Sequence, residues 1–273
     1  MTVEERIARI KEHKNEYRQL LDTVKNKDVY YNWLQNEMVS TSTALERRQS
    51  TTIYARQMGA TQEDIDRVYA LEDRNHHDAF FLMMDLSAMQ MPFTEHLITS
   101  LHNQVLKDID NYNAGCYRRE TVRLLNSSTV LPHYIKVPVL MKELVDSVNN
   151  STKDVIPQSF DMHHQFVAIH PFVDGNGRTA RLLMNFNLMK NDYFPVVIHP
   201  KKRGEYLDSL EAMSVHNDQN KYYSFMLGEM ETTFKTCMDE MISLPRTSTP
   251  HSMAIVSKHQ KNTTLINNQN TKA

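Results

Sequence analysis

One short segment of the chain gathers side chains that can accept a proton and hold a cation. It runs from Ile169 to Arg181 with the sequence IHPFVDGNGRTAR. His170 can take a proton at neutral pH, since an unperturbed imidazole has a pKa of about 6.5. The carboxylate of Asp174 is an oxygen ligand of the kind that holds Mg²⁺ together with substrate phosphates.

The glycines of the same segment predict an anion site. Gly175 and Gly177 flank Asn176, so we expect a tight turn that leads into a buried helix. The first N–H groups of a helix have no intrahelical acceptor, and the helix dipole adds positive charge there. Arg178 and Arg181 would lie on its first turns and favour phosphate. A base, a metal ligand and an anion site together indicate phosphoryl or nucleotidyl transfer.

Residues 170–181 match the Fic signature, HPFx(D/E)GNGRxxR, at every specified position, and the chain resembles the Fic domain family over roughly residues 30–240. The resemblance implies an all-α fold, a Fic-type helical bundle with a short β-hairpin flap near the active site. It also implies a protein adenylyltransferase, which transfers AMP from Mg-ATP to a Ser, Thr or Tyr hydroxyl of a target protein. ATP and Mg²⁺ would then be the nucleotide and the metal.

The resemblance also implies a role for each residue of the motif. His170 would be the catalytic base, and Asp174 would hold Mg²⁺ between the α- and β-phosphates. The phosphates would be bound by the loop and the first helical turns, namely Gly175, Asn176, Gly177, Arg178 and Arg181. Arg181 would face the γ-phosphate. Tyr206 would line the adenine pocket, whereas Ser214 stands where the family has an asparagine.

A second informative stretch, residues 40–48 with the sequence STSTALERR, lies far upstream. By itself it is a hydroxyl-rich helix cap followed by a glutamate. Within it, Ser42–Glu46 matches the first five positions of (S/T)xxxE(G/N), a motif whose glutamate inhibits many Fic proteins, and Arg47 replaces the final Gly or Asn. If this helix packs over the motif, Glu46 would pair with Arg181 and keep it from the γ-phosphate. The alternative is a surface glutamate paired locally with Arg47 or Arg48.

The third stretch is the candidate flap. Gly115–Arg118 matches the G-x-(Y/F)-R string that precedes the flap in the family, and Thr121–Val130 has β-branched ends around Asn126-Ser127-Ser128. That pattern outlines a short hairpin. By resemblance, the partner would be a target protein whose backbone pairs with this hairpin by strand addition. A plain surface hairpin is the alternative.

The chain as a whole suggests three parts. We expect an N-terminal helix over residues 1–30, and the Fic domain over 31–242 with the inhibitory helix near 40–50. A disordered tail is expected over 243–273, because that segment is rich in Thr, Ser, Asn and Lys and poor in apolar residues.

The composition indicates which classes of partner and which cellular compartment to expect. The net charge is −2 and the charges are interleaved, which gives no sign of a nucleic-acid surface. No run approaches the roughly 20 apolar residues that span a bilayer, and the charged N-terminus does not resemble a signal peptide. Two cysteines without metal-ligand spacing fit a reducing compartment. We therefore expect a cytoplasmic protein that binds neither nucleic acid nor membrane, with a homo-oligomer left open.

Three other functions stay open at this level. Some Fic-like proteins phosphorylate their targets, but these depart from the second motif glycine, which Gly177 retains. Glu46 could instead position a water that removes AMP from a modified protein. The chain could also be a nucleotide-binding interaction protein without catalysis, although such a protein would not need His170 as a base.

Overall fold

The structure is a computed structural model that describes residues 1–47, 57–124 and 127–247. Within these ranges the chain forms nine α-helices, which are α1 (Val3–Leu21), α2 (Lys27–Glu46), α3 (Gln62–Ala88), α4 (Glu95–Leu106), α5 (Val137–Asn149), α6 (Val155–Ile169), α7 (Asn176–Lys190), α8 (Arg203–His216) and α9 (Gln219–Ser243). Two 3₁₀ turns, Tyr134–Lys136 and Pro200–Lys202, precede α5 and α8. None of the described residues belongs to a β-strand, and the predicted all-α fold is confirmed.

Helix α7 lies at the centre of the bundle, with almost every residue from Asn176 to Leu188 buried. It packs against α6, α3, α4 and α2. Its start is set by Gly175, which adopts φ 74° and ψ 2°, a left-handed conformation that costs glycine little. No side chain of the described residues caps this N-terminus. The motif therefore lies at the N-terminal end of a buried helix whose first N–H groups are not used by a capping side chain.

Two helices separated by a short break form the N-terminal part. Helix α1 ends at Leu21, and the side chain of Asn26 caps the start of α2 by accepting from the N–H of Asp28. Helix α1 packs along α9, where Arg6 forms a salt bridge of 3.0 Å with Glu231. Helix α2 instead crosses toward α3 and α7, so its C-terminal end is brought to the motif.

Most of the predicted tail, residues 248–273, lies outside the described residues. Before it, Arg246 forms an isolated antiparallel bridge with Val24, and the N–H of Thr247 donates to the carbonyl of Thr23. The first residues after α9 thus return to the end of α1. Among the described helices, none combines the length and the apolar content that a membrane span requires.

The predicted hairpin flap is not confirmed. Its described residues, 121–124 and 127–130, form no strand, and residues 125 and 126 lie outside the described part. Arg118 joins the two arms instead, since its guanidinium donates to the carbonyls of Glu120 (2.9 Å) and Pro132 (2.6 Å). A side chain on α8 holds the second arm, because the N–H and hydroxyl of Ser128 both donate to Glu211.

Candidate active site

His170 occupies the turn between α6 and α7. It follows the last residue of α6 and has φ 51° and ψ 60°, a left-handed conformation that is uncommon for a residue other than glycine. Burial lowers the pKa of its imidazole to about 4. The imidazole is therefore neutral at pH 7, the form in which it can accept a proton.

His170 faces a cavity of about 550 Å³. Helix α7 contributes Gly177 and Arg181 to its wall, α8 contributes Tyr206, and α2 contributes Glu46. This volume falls within the usual range for small-molecule sites. A proton acceptor and a cationic helix end thus face one space large enough for a nucleotide.

Arg181 is buried and held by α2. The Nη2 atom of its guanidinium lies 2.8 Å from Oε1 of Glu46 and 3.0 Å from the carbonyl oxygen of Ser42, while Nε donates to the hydroxyl of Ser42 (2.9 Å). The contact expected between Glu46 and Arg181 is present. Ser42 is not part of a helix cap, because it lies inside α2 and Glu46 is the last residue of that helix.

The carboxylate of Glu46 also covers the N-terminal turn of α7. A Cβ atom placed on Gly177 would collide with Oε1 of Glu46 and would lie 3.1 Å from Nη1 of Arg181. Glycine at this position therefore lets the carboxylate come close to both the backbone of the helix end and the guanidinium. These are the two groups that predict phosphate binding, so Glu46 occupies the anion position.

Residues 92–188, which include the whole motif, match the model of the Fic/DOC family. The chain carries a Fic/DOC-family domain. It is 36% identical over 121 residues to the protein adenylyltransferase fic-1 of Caenorhabditis elegans, a match that covers 43% of this chain and 23% of that protein. It is 33% identical over 152 residues to the protein adenylyltransferase Fic of Drosophila willistoni, with coverage of 55% and 30%.

The Fic fold extends over most of the chain. A Fic-domain-containing signalling protein of Bacteroides thetaiotaomicron superposes with a TM-score of 0.69 at 23% identity, over 86% of this chain and 98% of that one. A fragment of Fic-1 from C. elegans superposes with a TM-score of 0.66 at 21% identity, over 88% and 73%. The chain spans less than a third of the length of the curated relatives named above.

In this Fic domain, Arg178 does not line the cavity, which differs from the role expected for it. It is 2% exposed and forms ion pairs with Glu72 of α3 (3.2 Å) and with Asp174 (3.1 Å). The spacing of the motif cannot reveal this, because the acidic partner on α3 is far away in sequence. Arg178 instead connects the metal-ligand candidate to α3.

The amide of Asn176 is also engaged within the Fic loop. Its oxygen accepts from the N–H of Phe172 (3.0 Å), and its nitrogen donates to the carbonyl of Phe172 (2.9 Å). Phe172 is fully buried and stacks on the ring of His102 with centroids 3.5 Å apart. The side chain of Asn176 therefore braces the loop, and the backbone N–H groups of Gly175 and Gly177 remain the candidates for phosphate.

Sequence reasoning missed His102, which fixes the backbone of the loop. Its Nδ1 accepts from the N–H of Gly115 (2.9 Å), so the ring hydrogen is on Nε2, which donates to the carbonyl of Asp174 (2.9 Å). Burial lowers the pKa of His102 to about 4. The side chain of Asp174 is 69% exposed and can reach a ligand in solution.

Arg47, the residue that departs from the family motif, turns to α3. Its Nη2 lies 2.8 Å from Oδ1 of Asp73 and 3.1 Å from the carbonyl oxygen of Tyr69, and its guanidinium stacks over the Tyr69 ring. These contacts tie Arg47 to α3, and its side chain also lines the cavity. Arg48, the other local cation considered, lies outside the described residues.

Three buried histidines, His102 of α4, His163 of α6 and His170, make a testable contribution to stability. Burial lowers the pKa of His102 and His170 to about 4 and that of His163 to about 3. Unfolded histidines titrate near pH 6.5, so below that pH the unfolded state binds more protons than the folded state. We expect the contribution of these histidines to the free energy of unfolding to be fully present above pH 6.5. That contribution should decrease as the pH falls toward 4. Each histidine would contribute up to about 1.4 kcal/mol per pH unit.

Urea unfolding at pH 7, 6, 5 and 4.5 measures this slope. His102→Asn should make it shallower, because the variant has one titrating group fewer. His96→Asn, at an exposed position, is the matched control and should leave the slope unchanged. An identical slope for wild type and His102→Asn would contradict the lowered pKa of His102 in the folded state.

Proposed function

We propose that this chain is a protein adenylyltransferase that transfers AMP from Mg-ATP to a Ser, Thr or Tyr hydroxyl of a target protein. Both curated relatives described above are named protein adenylyltransferases. One observation carries the proposal for this chain itself. A single cavity has a neutral buried imidazole, His170, together with Arg181 and the uncapped end of α7. A base beside an anion site is what transfer from a polyphosphate to a hydroxyl requires.

In this mechanism the imidazole of His170 takes the proton of the target hydroxyl. The hydroxyl oxygen then forms a bond to the α-phosphorus, the bond from that phosphorus to the bridging oxygen breaks, and pyrophosphate leaves. Arg181 and the N–H groups at the start of α7 neutralise the negative charge of the phosphates. Most of the catalysis comes from position and charge, because phosphoryl groups need little covalent help from a protein.

The donor set suits magnesium. Among the described residues, no three His, Cys, Asp or Glu side chains form a metal-binding group. The motif contributes one carboxylate, that of Asp174. That carboxylate is largely exposed, and Arg178 orients it through an ion pair. Mg²⁺ is commonly held by one or two carboxylates plus substrate phosphates and water. Bound there with ATP, Mg²⁺ would supply positive charge to the phosphates.

Asp174→Ala tests this metal site. We expect nucleotide binding to become independent of Mg²⁺, because the substitution removes the loop's only carboxylate. ATP titrations with Mg²⁺ and with EDTA, for wild type and variant, measure the effect. If Mg²⁺ strengthened ATP binding equally in Asp174→Ala, the metal would bind elsewhere.

Asp192→Asn is the matched control for this test. Asp192 lies beyond the C-terminal end of α7 and pairs with Arg18. The substitution therefore removes a carboxylate that is far from the motif. The backbone of Asp192 is left-handed, a conformation that asparagine tolerates well. The variant should keep the full dependence of ATP binding on Mg²⁺.

We further propose that Glu46 inhibits the transfer. Its carboxylate occupies the position that a phosphate would take at Gly177 and Arg181, so the γ-phosphate and Glu46 compete. Removal of Glu46 would free Arg181 for the nucleotide. The site would then be active only when the end of α2 moves or when the carboxylate is lost.

The target is proposed to dock along residues 119–132, the segment between Arg118 and the turn before α5. Thr129 and Ser127 of this segment line the cavity, so a hydroxyl presented there could reach His170. A cytoplasmic location is proposed on the composition argument above. The two cysteines, exposed Cys116 and buried Cys237, are both free, which suits a reducing compartment.

The experiment that tests the function compares two labelled nucleotides. Wild type and Glu46→Gly are incubated with ATP labelled in the α-phosphate or in the γ-phosphate, with and without cell lysate. Label from the α-phosphate alone on protein supports AMP transfer. Label from the γ-phosphate would show phosphorylation instead. ATP binding without any protein label would indicate an interaction protein, and loss of AMP from a premodified protein would indicate the reverse reaction.

A further inference from the structure

A chain of buried polar groups leads from Arg181 into the core. Tyr206 on α8 lines the cavity together with Arg181, and its hydroxyl lies 3.0 Å from Nε2 of His163 on α6. On the other side of this ring, Nδ1 of His163 lies 2.8 Å from the hydroxyl of Tyr222, which donates to the carbonyl of Phe160 (3.0 Å). His163 and Tyr222 are completely buried, and Tyr206 and Arg181 are at most 5% exposed.

Each proton in this chain of groups has a determined place. The carbonyl of Phe160 can only accept, so Tyr222 donates to it and the Tyr222 oxygen must accept from Nδ1 of His163. The hydroxyl hydrogen of Tyr206 then goes to Nε2 of His163, which must be the unprotonated nitrogen. Nδ1 of His163 carries the ring hydrogen and donates to Tyr222, whose own hydrogen goes to Phe160. The direction of every hydrogen bond in this chain of groups thus follows from the Phe160 carbonyl, and Tyr206 keeps its oxygen lone pairs for another donor.

His163 must be neutral for this arrangement to exist. Burial lowers its pKa to about 3, and the charge of Arg181 acts in the same direction. A protonated His163 would donate from both nitrogens, and Tyr206 would lose its acceptor. The neutral ring therefore leaves the lone pairs of the Tyr206 oxygen available to Arg181, which lines the same cavity, at pH values near neutrality.

The partners of Arg181 fall on two sides of the fold. Glu46 and Ser42 both belong to α2, the helix that would have to move or lose its carboxylate for activity. Tyr206 belongs to α8 and is fixed from α6 and α9 through His163 and Tyr222. The contact from Tyr206 does not depend on α2, so it can persist when Glu46 is gone.

We propose that His163 is a positioning residue that, through Tyr206, holds Arg181 toward the cavity for the γ-phosphate once Glu46 no longer contacts it. The inference rests on the proposed function. It predicts a specific defect, which is a loss of preference for nucleotides that carry a γ-phosphate. A purely structural role for His163 and Tyr206 would affect all adenine nucleotides equally.

The test uses the full chain with Glu46→Gly, in which Arg181 is free of its carboxylate partner. Tyr206→Phe is added because it removes one hydroxyl and keeps the ring. We expect ATP to bind about tenfold more weakly while AMP binding is unchanged, a size typical of a hydrogen bond to a charged group. Tyr223→Phe is the matched control, since that buried hydroxyl bonds to Asp161 and lies outside this chain of groups. It should leave both affinities unchanged.

Two variants of His163 make the test independent of Tyr206 itself. His163→Gln retains an acceptor for the Tyr206 hydroxyl and should keep most of the preference for ATP over AMP. His163→Leu removes the acceptor and should lose it. Thermal unfolding of each variant shows whether it is folded, and if the leucine variant is not, Tyr206→Phe and His163→Gln decide the question.

The possible outcomes separate this inference from the proposed function. If Glu46→Gly protein neither prefers ATP over AMP nor incorporates α-label, the proposed function fails and the inference fails with it. If it does both, and Tyr206→Phe retains the full preference for ATP, only the inference is overturned. Equal weakening of ATP and AMP by Tyr206→Phe would also overturn it, because the tyrosine would then act as a wall of the adenine pocket.

Discussion

His170→Ala is expected to lose AMP transfer by about 10²–10⁴-fold, the usual cost of removing a general base. ATP binding should remain nearly intact, because the imidazole handles the proton of the target hydroxyl and does not hold the phosphates. Incorporation of label from the α-phosphate, measured beside ATP affinity, separates the two effects. Undiminished labelling by the variant would remove His170 from the mechanism.

A second substitution tests whether the loss of AMP transfer comes from the missing base or from a distorted turn at His170. His170 adopts a left-handed backbone conformation, which asparagine tolerates better than most residues. His170→Asn should therefore keep the turn between α6 and α7 while lacking a base, and it should be as inactive as the alanine variant. His96→Ala, at an exposed position, serves as the control with normal activity. If His170→Asn were active and the alanine variant were not, the histidine would matter for the turn alone.

Glu46→Gly is expected to raise AMP transfer and self-modification by roughly tenfold or more, equivalent to about 1.4 kcal/mol. The ion pair with Arg181 combines a buried guanidinium with a carboxylate whose side chain is 34% exposed, so solvent screens part of the attraction. Loss of the carboxylate also clears the space beside Gly177. Rates of incorporation from α-labelled ATP at equal protein concentration measure the effect.

Glu46→Gln distinguishes charge from bulk. It removes the negative charge but fills nearly the same volume, so it should give a smaller increase than glycine if bulk beside Gly177 contributes to inhibition. Asp73→Asn tests the neighbouring contact of Arg47 with α3, which leaves Glu46 in place and should change activity less. Equal rates for wild type and Glu46→Gly would mean that Glu46 does not inhibit the proposed AMP transfer.

The order of the residues was enough to locate the motif and to predict the local structure around it. Gly175 before a long apolar run predicts a helix start, because the preferences of glycine and of helix ends depend on neighbouring residues only. His170, Asp174 and Arg181 could be named as site candidates because a single contiguous signature contains them. The same signature carries the family resemblance that implied an all-α fold. The hairpin flap rested on that resemblance and on a weak pattern of β-branched residues, and the described residues there form no strand.

The packing of the helices decided which of these side chains face the cavity. Arg178 and Arg181 are close together in one helix. Even so, Arg178 forms an ion pair with Glu72 of α3, whereas Arg181 pairs with Glu46, a residue 135 positions away. Which partner an arginine meets depends on how the helices pack around α7, and the spacing within one helix does not contain that information. The roles of His102 and His163 needed the tertiary structure for the same reason, because their hydrogen-bond partners come from other helices and loops.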